Sequence, residues 1–147
     1  MNNFWENLPK PFYCQAPMAN VSDIAFRSIL VKYGKPHVMW TEFVSIDGLA
    51  NEEGYKNLIK DLRFNLNEAP IVAQFFGSDP KLFYNAAKIA NDLGFNGVDI
   101  NMGCPDKGVM KSKAGGALIG ENERVRSIIE AIKNSVPNLP ISIKTRI

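Results

Sequence analysis

The stretch from Ile71 to Pro105, IVAQFFGSDPKLFYNAAKIANDLGFNGVDINMGCP, decides the fold. It opens on one short apolar run, Ile71 to Phe76, and ends just beyond a second, Gly97 to Met102. Between them Leu82, Phe83, Ala86, Ala87, Ala90 and Leu93 recur at helical spacing. Pro80 stands where a first-turn proline is tolerated, and Gly94 where a helix-ending glycine belongs. Strand, helix, strand in this order predicts a parallel pair joined by a right-handed crossover.

The alternation continues in both directions. Upstream lie a strand at Phe12 to Pro17 (FYCQAP), a helix from about Asp23 to Tyr33, and a strand at His37 to Val44. Ser22 is the expected N-cap of that helix and Gly34 its stop. Lys56 to Phe64 suits either a short helix or an extra strand. Downstream, a loop from Gly103 to Gly120 leads to a helix capped by Asn122 and carrying Val125, Ile128, Ile129, Ile132 and Val136. A last strand follows at Ile141 to Arg146.

About five strands with their crossover helices fit either an open doubly wound α/β sheet or a (β/α)8 TIM barrel. A barrel takes eight such units and ~250 residues. This chain has 147 and stops on a strand. The barrel reading is therefore of an N-terminal portion, apparently truncated, with residues 1–147 as one partial barrel domain.

Composition narrows the function classes. The chain is 46% hydrophobic and 22% charged, with a net charge of +2, which is ordinary for a soluble globular protein. That balance does not argue for nucleic acid by charge alone. The two cysteines, Cys14 and Cys104, form no CxxC pair, and with one histidine, His37, no metal site is expected. No apolar run approaches the ~20 residues of a membrane span. The N-terminus is too polar for a signal peptide, so a cytoplasmic protein is expected.

Parallel strands buried on both faces should be nearly continuous hydrophobic runs. Here polar residues interrupt them near their C-terminal ends: Glu42, Gln74, Asp99 and Asn101, and Lys144. In parallel α/β proteins those ends form the ligand face. An inward lysine is costly unless it is paired or bound to an anionic ligand. Gln74, Asn101 and Lys144 are therefore expected to line a site. Ala16-Pro17-Met18-Ala19 offers a small apolar edge against which a flat ring could lie. These features suit a flavin, as one choice among several cofactors.

Cys104 stands just past the Gly97 to Met102 strand, between Gly103 and Pro105. A thiol with an ordinary pKa near ~8.5 is mostly protonated at neutral pH and serves as a general acid as well as a nucleophile. His37 begins a strand, at the opposite end from Cys104, which favours the acid role. The following loop carries Lys107, Lys111 and Lys113 before Gly115-Gly116, and is expected to be a mobile lid whose lysines meet substrate phosphates.

With these residues in view, the chain resembles the tRNA-dihydrouridine synthase family. The matching segments are APMANVSDIAFR (Ala16 to Arg27), TEF (Thr41 to Phe43), IVAQFFG (Ile71 to Gly77), GVDINMGCP (Gly97 to Pro105), KAGGALI (Lys113 to Ile119) and ISIKTR (Ile141 to Arg146). The resemblance implies an FMN-binding TIM barrel that reduces a uridine of tRNA to 5,6-dihydrouridine with NADPH. Pro17 and Met18 would line the flavin, and Gln74 and Lys144 would hydrogen-bond its ring. Asn101 would lie between flavin and uracil, with Glu42 and Lys113 also on the substrate side. Flavin N5 would deliver hydride to C6 while Cys104 protonates C5. The resemblance also implies that a C-terminal barrel half and a helical tRNA-binding domain are missing from this stretch. Two other readings stand beside it: another FMN barrel of the dihydroorotate dehydrogenase or enoate reductase kind, and a non-catalytic half-barrel that associates through its exposed edges.

Overall fold

A computed structural model describes residues 3–146. Four strands form one parallel sheet: β1 (Met39–Ser45), β2 (Ile71–Phe76), β3 (Gly97–Met102) and β4 (Ile141–Thr145). Their spatial order is their sequence order. A doubly wound sheet reverses direction at a switch point, whereas a barrel adds each strand on the same side. The unbroken order β1-β2-β3-β4 therefore identifies this α/β chain as the N-terminal part of a barrel-type sheet.

The expected strand at Phe12 to Pro17 is reduced to one parallel bridge, Cys14 to Val38, at the edge of the sheet. Two backbone bonds hold it there, Gln15 N to Val38 O at 3.1 Å and His37 N to Tyr13 O at 2.9 Å. Pro11 and Pro17 flank the segment and lack the N–H groups a longer ladder needs.

The β2–β3 crossover follows its sequence pattern closely. Helix α4 (Pro80–Leu93) is capped by Asp79, whose side chain accepts from Lys81 N at 2.7 Å, and it ends at Gly94 with φ of +87°. Its apolar stripe, Phe83, Ala86, Ala87 and Ala90, is buried in the same core as Ile71, Ala73 and Phe75 of β2. Helix α6 (Asn122–Ser135) adds Ile128 and Ile132 to that core.

Two caps lie one residue from their expected places. Asp23, not Ser22, caps α1 (Ile24–Gly34), accepting from Phe26 N at 2.8 Å. The Ser22 hydroxyl is buried and spent on the preceding turn, accepting from Met18 N at 2.8 Å and donating to Met18 O at 3.0 Å. Asn122 is the first helical residue of α6 rather than its cap, because the Glu121 carbonyl already accepts from Val125 N at 3.0 Å. The ambiguous stretch around Lys56 is helical: α2 (Ile46–Leu49) and α3 (Glu52–Leu58) run into a 3-10 turn at Ile59–Leu62.

Arg27 and Glu68 are both fully buried, and their side chains meet at 2.5 Å. The guanidinium also donates to Ser22 O at 2.7 Å and Arg63 O at 2.6 Å. The other Glu68 oxygen accepts from Asn65 N at 2.9 Å. Removing one partner of such a pair leaves an uncompensated buried charge. Glu68→Ala is expected to cost about 3–5 kcal/mol, read as a lowered urea midpoint at unchanged slope; an unchanged midpoint would contradict the burial of this pair.

Candidate active site

The inner face of the sheet is built by register. Trp40 pairs with Val72, Phe43 with Gln74, Gln74 with Asp99, and Asn101 with Lys144. Between Trp40 and Phe43 the β1 register shifts, so Thr41 and Glu42 together oppose one residue of β2. The bulge brings Phe43 into line with Gln74, and the Thr41 hydroxyl accepts from Gln74 N at 3.1 Å.

At the C-terminal end of the strands, Pro17, Phe43, Gln74, Asn101, Gly103, Cys104, Pro105 and Lys144 line a cleft of about 170 Å3. Five residues expected from the sequence therefore meet in it: Pro17, Gln74, Asn101, Cys104 and Lys144. Three others do not line it. Met18 is partly exposed, and its backbone closes the turn to Ser22. Glu42 accepts from Asn20 N and faces a separate polar hollow with Asp23, Lys60 and Arg63. Lys113 is exposed after α5 (Lys107–Lys111), in a left-handed turn with φ of +59°. The expected lid is thus largely structured, as α5 and a 3-10 turn at Gly115–Leu118.

Buried amides organise the cleft. Asn101 Oδ1 accepts from Gly103 N at 3.1 Å and Cys104 N at 3.0 Å. Its Nδ2 donates to Gln74 Oε1 at 3.0 Å, and Gln74 Nε2 donates to Asp99 Oδ2 at 2.5 Å. The Ser142 hydroxyl donates to the other Asp99 oxygen. Burial pushes the Asp99 carboxyl above the usual carboxylate range, against the opposing pull of Ser142, Gln74, Trp40 and the Lys144 charge. The buried Trp40 indole N–H faces this region without a well-aligned hydrogen bond among the described residues.

The Cys104 backbone is clamped on several sides. Its carbonyl accepts from Gly116 N at 2.9 Å, and the neighbouring Gly103 carbonyl accepts from Arg146 Nε at 2.8 Å. Gly115 has φ of +60°, and a Cβ there would stand 2.9 Å from Cys104 O and 2.8 Å from Val109 Cγ1. The sequence marks this glycine pair, but its contact with the cysteine is visible only in the fold. Cys104 is half-buried at the cleft, and no group of three or more His, Cys, Asp or Glu side chains among the described residues could hold a metal ion. His37 Nδ1 accepts from Tyr13 N at 3.0 Å, beside the start of β1, at the far end of the strands from Cys104.

A parallel sheet in sequential order, with a thiol, two amides and a lysine around a cleft at its C-terminal edge, defines an α/β barrel-type protein. The comparisons with known proteins make this specific. Residues 14–147 match the family model of dihydrouridine synthase. A probable tRNA-dihydrouridine synthase of Staphylococcus epidermidis is 39% identical over 145 residues, covering 99% of this chain and 44% of the relative. A probable tRNA-dihydrouridine synthase 2 of Bacillus subtilis is 38% identical with the same coverage. The chain belongs to the dihydrouridine synthase family, and it spans under half the length of these relatives. No helix among the described residues is long and apolar enough to cross a membrane.

Gly115→Ala combines a left-handed backbone with a steric clash. It is expected to destabilise the protein by about 1–3 kcal/mol and to change the alkylation rate of Cys104 but not that of exposed Cys14. Thermal unfolding and peptide mass mapping measure both, and equal stability with equal Cys104 reactivity would contradict the clamp.

Proposed function

We propose that this protein reduces a uridine of tRNA to 5,6-dihydrouridine, with FMN as cofactor and NADPH as reductant, and that Cys104 is the proton donor. The observation that carries the reading is the meeting of Cys104 with Gln74, Asn101 and Lys144 in one cleft, in a member of this family.

The cleft residues fit one wall of a flavin site. Pro17 presents a surface without an N–H, suited to the face of a flat ring. The Lys144 side chain has no ion-pair partner among the described residues, so its charge is free for the electron-rich edge of a bound ring. The Gln74 amide keeps one N–H after its bond to Asp99. A volume of about 170 Å3 is smaller than the ~300–1,000 Å3 of sites that enclose whole ligands. This segment would therefore supply the ring-binding wall, with phosphate-binding loops and a helical tRNA-binding domain contributed by a C-terminal portion like the further length of the relatives.

A flavin bound there would supply the two electrons that saturate the C5–C6 bond. The chain's own residues handle position and proton. Cys104 Sγ–H gives its proton to C5, and the thiolate left behind is reprotonated from solvent. Asn101 would border both ring and base. The target base must leave its stack to reach this depth. Exposed Lys107, Lys111 and Lys113, on and after α5, suit contact with the tRNA backbone, and such contacts weaken with salt. Glu42 and Met18 would act at the rim of the site, through the turn they brace. A cytoplasmic location is part of the same proposal.

The intact protein, given FMN, NADPH and tRNA lacking the modification, is expected to form dihydrouridine, read as a gain of two hydrogens by nucleoside mass spectrometry. Failure of the intact wild-type protein to form it would overturn the reading. Cys104→Ala is expected to retain FMN and lose at least ~100-fold in turnover, the usual range for a general acid. Full activity in that variant would remove Cys104 from the proton-donor role.

A further inference from the structure

The Asn101 side chain has only one workable orientation. Gly103 N and Cys104 N both donate to it, so its oxygen must face them. Its Nδ2 then faces Gln74, whose oxygen must accept. The Gln74 amide nitrogen is thereby turned towards position 99, where the chain of bonds needs an acceptor, and Asp99 Oδ2 provides one. All three side chains are at least nine-tenths buried, so water does not substitute readily for a missing link. Ser142 satisfies the second Asp99 oxygen and stands outside the line to Cys104.

We propose that Asp99 is a positioning residue for Cys104, acting through the amides of Gln74 and Asn101. What position 99 must supply is an acceptor rather than a charge. With an acceptor there, Gln74 and Asn101 hold the polarity that presents an oxygen to the Cys104 backbone. Without one, the Gln74 nitrogen is left unpaired, and the amides gain an incentive to turn over and set an N–H against the Gly103 and Cys104 N–H groups. The link to turnover rests on the proposed function; the link to the Cys104 loop does not.

Amide hydrogen exchange of residues 101–104 in the intact protein, without flavin or tRNA, reads the loop directly. Asp99→Leu keeps the branched shape and removes the acceptor. It is expected to accelerate exchange there about tenfold, as the loss of a buried hydrogen bond would, with α4 as an internal control for folding. Gln74→Met breaks the same line at its middle, gives the same acceleration, and decides the matter if Asp99→Leu folds poorly. Asp99→Asn keeps an acceptor and stays within about twofold of wild type, as does Ser142→Ala. Unchanged exchange in the folded Leu or Met variant overturns the proposal. So does an Asn or Ser142→Ala variant that behaves like them. In the uridine assay Asp99→Leu is expected to lower kcat about tenfold with KM for tRNA unchanged; a rise in KM at constant kcat overturns the positioning role. A wild-type protein that forms no dihydrouridine sinks the proposed function and leaves the exchange result standing.

Discussion

A guanidinium with no exposure to water must be neutralised and hydrogen-bonded at each nitrogen, or the surrounding structure does not hold. Arg27 meets that requirement with Glu68, Ser22 O and Arg63 O. Those partners come from the turn before α1 and from the segment leading into β2. One side chain thus ties three stretches of chain together. The Ser22 contact matters most for the site, since Ser22 closes the turn at Met18, the residue after Pro17. Buried pairs of this kind give little net stability compared with a well-packed apolar alternative. Here the pair fixes a position, that of the turn following Pro17, one of the residues that line the cleft.

The elements most visible in the sequence were those whose signals agreed with one another. In α4 the proline, the apolar stripe and the closing glycine all indicated one helix, and the structure has it from Pro80 to Leu93. β2 and β3 matched their apolar runs to the residue. Where two adjacent residues were chemically able to cap a helix, sequence did not decide between them, because burial of Ser22 is a tertiary event. The Arg27–Glu68 pair was illegible for a similar reason. An arginine on a helix looks like a solvated residue until a carboxylate from a distant segment arrives.

The lining of the cleft was legible where strand alternation held. Gln74, Asn101 and Lys144 share one face because their strands pair without interruption. Glu42 lies outside the cleft because the irregularity at Thr41–Glu42 gives the inward place after Trp40 to Phe43. Asp99 interrupts β3 as visibly as Asn101 does, but its partnership with Gln74 and Ser142 depends on register that only the folded sheet supplies. Gly115 and Gly116 carry the same lesson, since a glycine pair in a loop does not name the backbone it lies against.

The sequential strand order has a consequence for how the molecule is made. A chain leaving the ribosome emerges from its N-terminus, and in this sheet each strand pairs with the one synthesised just before it. β2 finds β1 already present, β3 finds β2, and β4 finds β3, so within these four strands each new one meets a neighbour that is already formed. In a doubly wound sheet, where the order reverses, an early strand stays uncovered until the second half arrives. Here the growing edge moves with synthesis, and β1 to β3 are each covered on that side as soon as the next strand is made.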